Sequence, residues 1–207
     1  MNTFKLTHVT TLLIVACTMF CGCASQPVEM APQATEALTS LRTQLFTAKT
    51  QVQEAANAAA DLLKQPRADL AAQIQRLNSS VTTLNGTREQ ARATAQQYEK
   101  QSEQYFAKWD ETLKGMSEDT AERGQKRIAL AKESIARLRG DAVDVREDLN
   151  PFMAEINEAN AYLKTDTTKS GLDVVRAKLQ SAVKREKDIS KSIDKMIADI
   201  DSIRAGK

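Results

Sequence analysis

The strongest constraint on this chain is a repeat of apolar residues in alternating steps of four and three. It runs Leu70, Ile74, Leu77, Val81 and Leu84, then Arg88, Ala91, Ala95, Tyr98, Ser102, Tyr105 and Trp109. A second run holds Ala121, Gly124, Ile128, Ala131, Ile135, Leu138, Ala142, Val145, Leu149, Phe152, Ile156, Ala159 and Leu163 without losing phase. Such a seam keeps one helix face against a neighbour over many turns. Gly115-Met116-Ser117 separates the runs. Gly115 suits the left-handed residue that ends a helix, and Ser117 suits an N-cap. Glu118 and Asp119 put negative charge at the positive end of the next helix. A connection this short makes the two arms antiparallel, each about 70 Å long.

Two places test the continuity of the arms. Asn85-Gly86-Thr87 reads as a weak spot, with Thr87 and Gln90 available as a capping box. Pro151 removes a backbone hydrogen bond inside the second arm, which predicts a kink there. The alternative is a fresh helix capped by Asn150. The phase is the same on both sides of each site, so both arms read as continuous.

Two more helices flank the hairpin. Ala34, Leu38, Leu41, Leu45, Ala48, Val52, Ala55, Ala59 and Leu62 step by four and three, and Gln65-Pro66 ends that run, Pro66 opening the next helix. Leu172, Val175, Leu179, Ala182, Glu186, Ile189, Ile193, Met196, Ile200 and Ile203 form the last, with Ser170 and Asp173 as a cap pair. The fold expected is all-α: an antiparallel four-helix, up-down, coiled-coil-like bundle with a projecting two-helix hairpin. It forms one domain over residues 33–207, with helices at about 33–64, 67–114, 118–163 and 170–205. Short connections place Ala34, Tyr98, Ile135 and Ile200 at one level, beyond which only the hairpin continues, for about 24 Å. In that register Trp109 faces Gly124 and Tyr105 faces Ile128, large against small. Phe106, Leu113 and Met116 fall off the strict seam. With Tyr105 and Trp109 they form a candidate interaction surface near the tip. The bland reading, that the rings fill the hairpin's own core, stands beside it. Arg88 and Glu186 interrupt their seams within about a turn of each other. They read as a buried register-fixing pair or as long side chains reaching past the core edge to water.

The first 22 residues have the layout of a secretory signal peptide: Lys5, a short apolar run at residues 12–20, then Gly22-Cys23. All three cysteines, Cys17, Cys21 and Cys23, lie in or just after this leader. That placement excludes a disulfide framework in the domain. It points to a bacterial lipoprotein acylated on Cys23, with Cys17 as the competing site and an ordinary cleaved signal as the third reading. Residues 23–32 read as a polar tether. By the resemblance to lipoproteins, Ala24 after the cysteine favours the outer membrane over the inner one.

The only histidine, His8, is in the leader, so His-based triads and metal sites are not expected in the domain. Without Lys5, 28 basic and 27 acidic residues remain, well mixed, which gives no stripe for nucleic acid. Pairs such as Glu147-Asp148 and Asp199-Asp201 sit on charge-dense helices and read as solvated faces. No catalytic residue, metal or cofactor is expected, and no enzymatic activity. Lys207 invites comparison with wall-linked lipoproteins, but an up-down bundle returns the C-terminus to the level of the anchor, so no wall linkage is expected.

Several segments resemble a family of small helical envelope lipoproteins of Gram-negative bacteria whose function is unsettled. These are residues 105–113 (Tyr-Phe-Ala-Lys-Trp-Asp-Glu-Thr-Leu), Leu149-Asn150-Pro151-Phe152, Tyr162-Leu163-Lys164, and residues 188–203. The resemblance implies a helical envelope lipoprotein and names no active residues. The function expected is a structural or interaction scaffold on the periplasmic face of the outer membrane. Its partners would be lipid, through Cys23, and an envelope protein or the cell wall; self-association through the arms stays open. The alternative is an amphipathic protein that contacts or remodels membrane.

Overall fold

The computed structural model describes residues 32–64, 66–67 and 69–205. Four helices follow in order: α1 (Pro32–Lys64), α2 (Ala71–Lys114), α3 (Glu118–Thr165) and α4 (Lys169–Arg204). Each packs on its sequence neighbour, and α4 closes the ring against α1. This is an antiparallel four-helix up-down bundle. The leader, Cys23, the tether and Lys207 lie outside the described residues.

The seams read from the sequence are the core. Every α1 seam residue from Ala34 to Leu62 is buried, as is every α4 seam residue except Glu186. Alanine at Ala48, Ala55 and Ala59 lets α1 approach α2 and α4 closely. Neither interruption breaks its helix: α2 runs through Gly86 and α3 through Pro151. Packing on both sides holds these residues helical against a local preference worth about 1 kcal/mol for glycine and 3 for proline.

The helix ends depart from expectation in detail. Gly115 has φ −94° and is not left-handed; its N–H instead closes a tight turn on the Thr112 carbonyl. Ser117 makes no side-chain cap, because its hydroxyl pairs with Thr120 at 2.9 Å. Helix α2 begins at Ala71, not near Pro66. Gln73, buried, accepts from the Arg67 N–H and donates to Asp61 Oδ2, so it ties both sides of the connection together. At α4 the cap is Thr168, not Ser170. The Thr168 hydroxyl accepts from the Gly171 N–H at 3.1 Å and donates to Asp166 at 2.6 Å. The Thr168 hydroxyl and, next, its backbone N–H both donate to Asp166 and hold that carboxyl below the usual range. Gly171 fits this corner because a Cβ there would lie 2.5 Å from the Asp166 carbonyl oxygen.

Register follows from bonds across the seams. Gln73–Asp61 joins α1 to α2, Asn160–Asn78 and Arg88–Asn150 join α3 to α2, and Ser192–Asp148 joins α4 to α3. Helices α2 and α3 have 44 and 48 residues against 33 and 36 for α1 and α4. They therefore continue past the other two as a two-helix arm, by about 16 to 18 Å at 1.5 Å per residue.

Candidate functional site

The arm is the part of the molecule that the bundle does not need for its own closure. Along α2 the buried series is Tyr98, Ser102, Phe106 and Leu113, not Tyr105 and Trp109. The seam of α2 holds its phase through Tyr98 and Ser102 and moves by one residue only in the arm, to Phe106 and Leu113, while α3 keeps its phase from Gly124 to Leu163. The change comes where α1 and α4 end and α2 has only α3 to pack against. Phe106 and Leu113 are each only 7% exposed, which corrects their assignment to an exposed strip. Leu113 also takes the place expected of Trp109 opposite Gly124, where a Cβ would come within 2.4 Å of its methyl. Of the five candidate residues only Met116 is well exposed, at 45%, while Tyr105 and Trp109 are half-buried.

The rings form one cluster. Tyr105 lies 6.1 Å from Phe106 and 5.8 Å from Trp109, both tilted. The Arg127 guanidinium sits 5.6 Å over Trp109, and the Lys132 ammonium 5.7 Å over Phe106. Cation–π contacts of this kind contribute about 0.5–1 kcal/mol where partly exposed. Gln125 reaches across to Asp110 at 3.1 Å, and Arg139 pairs with Glu99 and Glu103.

At the base of the arm lies a charged cluster that spacing alone did not single out. Asp141 is 3% exposed on the α4 side of α3, 3.0 Å from Lys195, which also pairs with Asp144 at 2.9 Å. Burial pushes the Asp141 carboxyl up, and the neighbouring Asp199 carboxyl adds to the rise; Lys195 opposes both. The ammonium of Lys195 is itself raised by Asp144 and Asp141. Nearby, Arg42 clamps α1 to α4 through Asp201 at 2.7 and 3.0 Å, which lowers the Asp201 carboxyl.

Arg88 and Glu186 do not meet. Arg88 donates to Asn150 at 2.9 Å, and Glu186 accepts from Ser190 at 2.9 Å. Both run along the core edge, as long side chains do when the stem packs and the head stays wet. Among the described residues no group of three metal-ligating side chains gathers, and no helix is long and apolar enough to cross a membrane. In the comparisons with known proteins, no family model, curated protein or solved structure matches the chain.

Proposed function

We propose that this chain is an envelope lipoprotein, held in the outer membrane by acyl chains on Cys23, whose periplasmic bundle is a non-catalytic scaffold presenting its arm to a partner. One observation carries the reading. Helix α1 starts at Pro32, at the end of the bundle from which the arm emerges. The segment from Cys23 to Pro32 therefore joins at the base of the arm, and extended it reaches at most about 30 Å. The arm then works close to the surface that holds the anchor, while the opposite end, around residues 66–70 and 166–168, points away. The leader pattern and the resemblance to helical envelope lipoproteins support the same setting.

The test has two parts. Cys23→Ser should abolish uptake of labelled fatty acid; labelling that persists and moves only with Cys17→Ser would displace the anchor. A photocrosslinking residue at Met116 should capture a discrete envelope component that the same residue at Thr167 does not. Equal capture from both positions would end the scaffold reading. Met116, exposed beside Lys114 at the tip, favours membrane contact as the second reading. Quenching of Trp109 by brominated lipids, without any protein crosslink, would select it.

A further inference from the structure

The α4-facing side of α3 changes sign along its length. In the four-helix section its flank is acidic, and α4 answers with bases. Glu155 pairs with Arg185, Glu158 with Lys178, and Asp144 and Asp141 with Lys195, while Asp148 accepts from Ser192. These positions recur every seven residues. Stepping back by sevens from 155, 148 and 141 gives Ser134, Arg127 and Thr120. Stepping back from 158 and 144 gives Arg137, Leu130 and Arg123. The last turn of α4 reaches only the level of Ser134 and Arg137. Beyond it none of the described helices covers the track, which is basic, with Leu130 58% exposed.

The facing wall on α2 fits. Tyr105 and Trp109 are half-exposed here, and Lys108, one residue before Trp109, is exposed. The acids on this side are Glu111, paired with Lys114, and Asp119, paired with Arg123 in an exposed i,i+4 bridge. Such exposed bridges are weak and readily exchanged. What covers the same track lower down is a helix, α4, chosen by opposite charge. We propose that the face of the arm that α4 leaves uncovered, from the end of α4 beside Arg137 to Arg123 along α3, docks an acidic amphipathic helix of a partner protein. Its apolar side would meet Leu130, Tyr105 and Trp109, and its carboxylates Arg123, Arg127, Arg137 and Lys108. The groove seats about four helical turns, so the interface falls in the small, transient class, with salt-sensitive association.

The proposal takes its biological setting from the scaffold reading, but the binding face is tested without it. The probe is a labelled peptide of about three heptads with Leu at core positions and Glu beside them, against the same peptide with Lys for Glu. Binding to the full chain is followed by anisotropy and by emission of Trp109, the only tryptophan. The acidic peptide should bind at least tenfold more tightly than the basic one. Arg123→Glu with Arg137→Glu, both on exposed residues, should reverse that preference while the Arg127–Trp109 stack and the circular dichroism persist. Equal binding of the two peptides, no binding, or indifference to the double variant would overturn the proposal. So would sedimentation showing that a second copy occupies the face, a rise in peptide binding on removing residues 1–31, or exclusive binding to anionic vesicles. Failure here with Cys23 labelling and Met116 capture intact would remove the acidic helix and leave the scaffold standing.

Discussion

The four-helix section and the arm are built from the same two helices, yet the same seam does different work in each. Below Tyr98 the a and d side chains of α2 and α3 point into a core shared by four helices, and Leu77, Leu84, Phe152 and Ile156 are fully buried there. Above it two helices must cover one another alone. The seam slides toward α3, Phe106 and Leu113 become the core, and Tyr105 and Trp109 are left at its edge. Two helices cannot bury both flanks, so aromatic and cationic side chains cap what the missing pair would have covered. The lesson is that a seam's residues are assigned by the number of helices around them as well as by their spacing.

The largest expected effect compares one substitution in the two regions. Phe152→Ala, at 0% exposure in the four-helix core, should cost about 3–5 kcal/mol in chemical denaturation, as buried Phe truncations do. Phe106→Ala in the arm should cost less than about 2 kcal/mol, since its surroundings relax into solvent. Equal losses would mean that the arm is as tightly built as the bundle.

Hydrogen exchange sharpens the same contrast. Amides of residues 102–114 and 118–131 should open at lower free energy than those of α4, because few apolar contacts must break. Uniform protection along α2 would sink the distinction.

The base of the arm should respond to pH through Asp141. Its carboxyl is raised in the folded protein, so folding favours the protonated form. That contribution is present below the folded pKa and is lost as pH rises through it. Asp201 and Asp166 are lowered and act oppositely, stabilising above the unfolded carboxylate range and losing this as pH falls. Asp141→Asn should therefore gain stability relative to the parent chain as pH rises from about 4 to 7. A constant difference between the two melting temperatures across that range would refute it.

The smallest effects concern glycines. A Cβ at Gly86 or Gly140 meets nothing within 4 Å. Alanine at either should stabilise by about 0.5–1 kcal/mol through helix propensity alone. Gly124→Ala should show no such gain, because its Cβ would push into the Leu113 methyls. A comparable gain at all three positions would mean that the arm seam is slack at Leu113.

By itself the sequence determined four helices, their order, their antiparallel course and most core residues of α1, α3 and α4, though not Ala37, Ala56, Ala58, Met153 or Ile197. Those features follow from local periodicity and short connections, which leave little freedom to the chain. Continuity through Gly86 and Pro151 was legible in the unbroken phase on either side. The conformation of Gly115, the cap at Thr168 and the start at Ala71 were not, because turn and cap hydrogen bonds depend on residues such as Gln73 and Asp166 reaching across the connection. The candidate site was legible as a region but not residue by residue. Tyr105 and Phe106 lie about 100° apart around the helix and Trp109 and Leu113 about 40°, and which of each pair is buried is decided only by the number of packed neighbours. The burial of Asp141 and the basic track toward Arg123 that no described helix covers belong to the tertiary structure alone. They depend on where α4 ends against α3, and that length relation is a property of the assembled bundle.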